Sequence, residues 1–110
     1  LIVVSPRDVF PPAAPQDLVA VVVPATAQAP AHIELSWSIS AAPDIAGYNI
    51  YRSEAGGAAS QRLNRDLLLT PVFHDMSTVP GRSYTYTVTA VSRARNESEP
   101  SVAVSAAMPE

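Results

Sequence analysis

The chain contains no cysteine. Disulfides and thiolate metal sites are therefore excluded. It also contains no lysine: all seven positive charges are arginine, set against ten acidic residues. A net charge of -3 and a pI near 5.2 argue against nucleic acid or an anionic membrane as the main partner. No apolar run reaches the roughly 20 residues that a membrane-spanning helix needs. Catalytic signatures are missing too. No serine sits in a G-x-S-x-G elbow, and neither His32 nor His74-Asp75 has a nucleophile beside it in sequence. The two histidines stand far apart in the chain, and no D-x-D-x-D-G spacing gathers the acids Asp44, Asp66, Asp75 and Glu97. The expectation is no enzyme, no metal and no cofactor.

What is present is enough for one domain. A chain of 110 residues, 47% of them hydrophobic, buries roughly two-thirds of its unfolded surface without staples. Alanine, proline and valine are abundant, which suggests a GC-rich genome. The chain starts at Leu1 rather than methionine, as a fragment or processed product would. Leu1–Val4 is a short β-branched run followed by Pro11-Pro12-Ala13-Ala14-Pro15, a stiff extended connector. Residues 1–10 read as a linker or the tail of a preceding domain, and Leu1–Val4 as a sticky edge if exposed.

Beyond the connector the pattern is all-β. Leu18–Val23 reads as a strand stopped by Pro24, and residues 24–30 as a loop. Ile33–Ile39 alternates with period two, which puts Ile33, Leu35, Trp37 and Ile39 on the buried face. Ala41–Asp44 reads as a turn. In Ile45–Tyr51, Tyr48 and Ile50 face one way and Asn49 and Tyr51 the other. Ser53–Ser60 reads as a loop, Arg62–Asn64 as a short edge strand and Pro71–Asp75 as another, with Asp75 capping the turn after it. Tyr84–Val91 is the clearest strand: Tyr84, Tyr86, Val88 and Ala90 alternate with three threonines. Val102, Val104 and Ala106 mark the last. Asp66–Leu69 is too short for a helix that holds alone. Seven short strands with no amphipathic helix point to an antiparallel β-sandwich.

Five segments then match one family in order and spacing. They are Pro12–Leu18, Ile33–Trp37, Ile45–Tyr51, Val79–Val88 and Asn96–Ser101. Together they resemble a fibronectin type III domain over residues 11–107, most like those of bacterial secreted and cell-envelope proteins. Residues 108–110 are left as a C-terminal linker. The resemblance implies a seven-stranded immunoglobulin-like sandwich. It implies that Trp37 plugs the space between the sheets and that Tyr48, Ile50, Gly81 and Val88 are structural residues. It also implies that Tyr84, three residues after Gly81, is a corner tyrosine whose hydroxyl bonds backbone just upstream.

The loop before the last strand, with Arg93, Arg95 and Asn96, is where such a domain presents binding residues. Arg82 lies at the other end of the long strand. These charges are too sparse for a polybasic patch, and the family's Arg-Gly-Asp tripeptide is absent. Tyr51 beside Arg52 could stack on a sugar, although cross-strand packing is the commoner use of such a tyrosine. The leading expectation is a non-catalytic spacer or scaffold module of a larger extracytoplasmic protein, positioning neighbouring domains of the same chain. The alternative is an adhesion module binding protein or polysaccharide through its end loops. A monomer is expected, with an edge-strand dimer through Leu1–Val4 as the variant.

Overall fold

A computed structural model describes residues 11–40, 42–54 and 60–110. Leu1–Val4, and the centre of the loop after Ser53, lie outside them. Seven strands follow in chain order: β1 (Val19–Val23), β2 (His32–Ser36), β3 (Ile45–Glu54), β4 (Gln61–Arg62), β5 (Val72–Asp75), β6 (Ser83–Ser92) and β7 (Val104–Ala107). They form two antiparallel sheets, ordered β1-β2-β5 and β4-β3-β6-β7. No helix occurs among the described residues.

The core comes from the period-two faces. Ile33 and Leu35 of β2 and Tyr84, Tyr86, Val88 and Ala90 of β6 are buried, with Tyr48 and Ile50 of β3 between them. Leu18 closes the core beside β1, while Val19 and Val21 face outward on that strand. Trp37 meets the Tyr48 ring edge-on, with centroids 5.6 Å apart. The Tyr48 hydroxyl accepts a hydrogen bond from the Ser40 N–H at 2.8 Å. At the corner before β6, the Tyr84 hydroxyl accepts from the Val79 N–H at 2.9 Å. Gly81 sits there with φ of 82°, a backbone state that side chains resist.

The pairing registers fix two poles. Ser36, Val72, Ile45 and Ser92 gather at the near pole, and His32, Asp75, Glu54 and Ser83 at the far pole. The chain comes in at the near pole, where the Gln16 carbonyl accepts from the Ser38 N–H at 2.9 Å. It leaves at the far pole, where the Met108 N–H donates to the Arg82 carbonyl at 2.8 Å. Met108 is only 5% exposed and belongs to the core cluster, so the packed unit runs past Ala107.

Several local expectations need correction. Ile39 does not continue the buried face of β2 and is 73% exposed. Pairing stops at Ser36. The Trp37 N–H still bonds the Pro71 carbonyl and Ser38 bonds Gln16 and Asp17, so the flanking segments follow the chain to Ser38; by Ser40 it has crossed to the other sheet, where its N–H bonds the Tyr48 hydroxyl. Val102 is 86% exposed, not inward. Between β6 and the segment leading into β7, the register slips one residue between Ser98 and Ser101 and again before Val104. As expected of so short a run, Asp66–Leu69 forms no helix; Leu68 pairs both ways with Tyr48. The edge strand is Gln61–Arg62, and Asn64 lies buried beyond it.

Candidate functional site

Three side-chain clusters stand out. The first lies on the outward face of the four-stranded sheet. Glu97 pairs with Val91 as an isolated bridge, which brings its carboxylate over β6 and β3. It accepts hydrogen bonds from the Thr89 hydroxyl at 2.6 Å and from the Tyr51 hydroxyl. Burial pushes the Glu97 carboxyl up, but hydrogen bonds from Thr89, Tyr51 and Asn49 outweigh it and hold it below the usual carboxylate range. Burial, then the adjoining Glu97, raises the Tyr51 phenol. Tyr51, Thr87, Thr89, Ser98 and Pro100 line a shallow groove there. Tyr51 is thus half-buried and tied to its own sheet rather than free to stack.

Arg93 and Arg95 project from the near pole, and both are exposed. The Arg93 N–H is fixed by the Asp44 carbonyl at 2.8 Å. Arg95 holds φ of 68°, and the Asn96 N–H bonds the Ser92 hydroxyl at 3.2 Å. These three residues lie at the same pole as the exposed apolar Ile39 and Leu69. Arg82 sits apart at the far pole, where it pairs with Glu54 at 2.9 Å.

The second cluster joins the two sheets near the far pole. Asp75 ends β5 and is only 2% exposed. Its carboxylate accepts from the Tyr86 hydroxyl at 2.6 Å, from Arg52 Nη1 at 2.9 and 3.2 Å, and from the Ser77 N–H and hydroxyl at 3.1 and 2.8 Å. The turn cap expected of Asp75 is therefore one part of a larger network. Burial opposes the charge on Asp75, but the bonds from Tyr86, Ser77 and Arg52 win and lower its pKa. Burial and then Asp75 raise the Tyr86 phenol far above its ordinary value. Arg52 also lies over the Tyr84 ring, 4.8 Å from its centroid. Strand parity carried a signal for this cluster. Arg52 shares the inward face of Tyr48 and Ile50, and Asp75 shares that of Phe73. An inward arginine requires an inward acid.

The third cluster joins residues that look unrelated along the chain. β2 pairs with β5 so that Glu34 lies directly opposite His74. His32 lies two residues before Glu34, on the same outward face. The His32 and His74 rings lie tilted at 38° with centroids 5.5 Å apart, and His74 Nε2 lies 3.3 Å from Glu34 Oε2. Sequence separation hides this trio, because strand pairing makes the contact.

The relatives carry the same modular message. No family model matches the chain. The amylopullulanase of Thermoanaerobacterium saccharolyticum is 37% identical over 90 residues, which is 79% of this chain and 7% of that protein. Among solved structures, an Fn3-like protein from Clostridium thermocellum superposes with a TM-score of 0.73 at 25% identity, over 92% of this chain and 97% of that one. The FN5 domain of Drosophila Lar gives 0.68 at 25% identity, over 90% and 98%. Strand order, two-sheet sandwich and these likenesses agree, and the chain has the fibronectin type III fold.

Proposed function

We propose that the domain is a non-catalytic spacer that fixes distance and orientation between neighbours in a larger extracytoplasmic polypeptide. The observation that supports this most directly is the position of its two ends. The chain comes in at the near pole and leaves at the far pole. The ten residues of β6 set the span between them at roughly 30 Å. The near pole also exposes Ile39 and Leu69 at 73% and 81%, an apolar end suited to packing against a preceding domain. The likeness to amylopullulanase adds a context. There a matching segment makes up 7% of a large enzyme, so this chain would act as an accessory to such a catalytic unit. A second reading, adhesion to protein or polysaccharide, rests on the paired exposure of Arg93 and Arg95 at the same pole.

Exchange of the domain within its parent polypeptide tests the proposal. An unrelated fibronectin type III domain of equal span, lacking the near-pole arginines, should preserve the parent's activity and substrate retention. Loss of retention, reproduced by Arg93→Ala with Arg95→Ala alone, would establish the adhesion reading instead.

A further inference from the structure

We propose that His32, Glu34 and His74 form a binding site for a borderline divalent transition metal, Zn²⁺ first among them, on the outer face of the three-stranded sheet. Each residue offers one ligand atom, and these atoms lie within 4.8 Å of one another. A tetrahedral zinc with bonds of about 2.0–2.1 Å sets its ligands roughly 3.3–3.4 Å apart. The His74 Nε2 to Glu34 Oε2 distance is already 3.3 Å. Both side chains are about half exposed, at 50% and 47%, so small torsional shifts can close the remaining gap to His32.

The backbone supports this geometry. Two ligands come from alternate positions of β2, and the third from the paired position of β5. Paired strands hold such positions a few ångströms apart on one face. A hydrogen bond also orients His32: its Nδ1 lies 3.0 Å from the Pro30 carbonyl. A carbonyl only accepts, so Nδ1 carries the proton and Nε2 keeps its lone pair. Metal-ligating histidines are commonly fixed by this arrangement, the second ring nitrogen donating to a carbonyl. His32 is 8% exposed, so its ring has little freedom to turn away.

The donor set decides the class of metal. Two imidazoles and one carboxylate suit zinc, nickel or copper. Calcium and magnesium require mostly oxygen ligands and six or more of them. Three protein ligands leave a fourth position for water or for a donor from another molecule. Bound metal would clamp edge strand β5 to β2. Without it, the His74–Glu34 contact is a surface pair of small value.

The test uses the untagged 110-residue chain. Titration with ZnCl₂ by calorimetry should give one site per chain. The melting midpoint should rise by several degrees at about 0.1 mM zinc and fall back on adding chelator. Co²⁺ in place of zinc should develop the visible absorption of a tetrahedral complex. His74→Ala and Glu34→Ala alter exposed strand positions, so their metal-free melting should stay close to the parent's. Each should weaken zinc binding by more than about tenfold. No saturable binding at about 0.1 mM zinc would overturn the proposal. So would a zinc-induced shift of equal size in the parent and in His74→Ala.

Discussion

Asp75 offers the sharpest test of what holds the sandwich together. Replacing it with alanine removes the carboxylate that accepts from Tyr86, Arg52 and Ser77, and leaves Arg52 only the Ser77 hydroxyl at 2.9 Å as an acceptor in this network. The Arg52 side chain, 15% exposed, keeps its charge and loses its counter-ion. The Tyr86 hydroxyl, buried against the core, loses its acceptor. Breaking a buried ion pair from one side costs about 3–5 kcal/mol, because the remaining charge stays desolvated. A domain of this size holds on the order of 5–15 kcal/mol in total, so Asp75→Ala should remove a large share of it. Urea denaturation followed by tryptophan fluorescence reads the loss directly. Replacing both Arg52 and Asp75 with apolar residues of similar volume should cost less than Asp75→Ala alone, since no charge is stranded.

The same network fixes how stability responds to acid. The folded Asp75 titrates below its unfolded value of about 3.9. Between the two values the unfolded chain binds more protons, so stability rises with pH through that window and is complete above about pH 5. It is lost as pH falls toward the folded pKa. Glu97 is lowered too and contributes with the same sign, so the slope is measured in a Glu97→Gln background. There, Asp75→Asn should flatten most of what remains. An Asp75→Ala cost under about 1 kcal/mol, or an acid slope unchanged by Asp75→Asn in that background, would refute the assignment of this network as a principal tie between the sheets.

Three further outcomes follow from the geometry. Ser101→Ala leaves the Val88 N–H without its 3.0 Å acceptor inside the sheet and should cost about 1–3 kcal/mol, with faster amide exchange at Val88 as the local readout. Tyr84→Phe removes the acceptor for the Val79 N–H and should cost about 1 kcal/mol; an unchanged melting midpoint would contradict the clamp. Gly47→Ala places a methyl group 2.7 Å from Leu67 Cβ and 2.8 Å from the Leu68 carbonyl oxygen, so it should destabilise by about 1–3 kcal/mol in thermal melts.

Legibility in the sequence followed the range of the interaction. Period-two faces gave Ile33, Leu35, Tyr48, Ile50, Tyr86 and Val88 their places, because pleat parity is a local property. Parity failed where the ladder ended. Ile39 and Val102 each keep the right phase in sequence but lie beyond the last paired residue, at Ser36 for β2 and before Val104 for β7. Side-chain hydrogen bonds to backbone were harder to read. Nothing in the spelling of Asn64, Ser98 or Ser101 separates a buried structural residue from a loop residue. Pairs that meet only through strand register, such as Glu34 with His74, or only across the two sheets, such as Arg52 with Asp75, were invisible to spacing along the chain.

Those hidden polar residues share one role, and it bears on function. Where β4 stops, the Asn64 side chain continues its work: Oδ1 accepts from the Ile50 N–H at 2.9 Å, and Nδ2 donates to Asn49 and to the Asp66 carbonyl. Where regular pairing with β6 lapses before β7, the Ser98 and Ser101 hydroxyls accept from the Ala90 and Val88 N–H groups at 2.9 and 3.0 Å. Each hydroxyl passes its proton on to the carbonyl of the next residue, Glu99 or Val102. Both margins of the four-stranded sheet are thus finished by side chains rather than by a long regular strand. Such margins satisfy the buried donors yet offer a second chain no continuous template for pairing. Blunted margins on this sheet fit the proposed spacer role, in which neighbouring domains meet the poles rather than the sides.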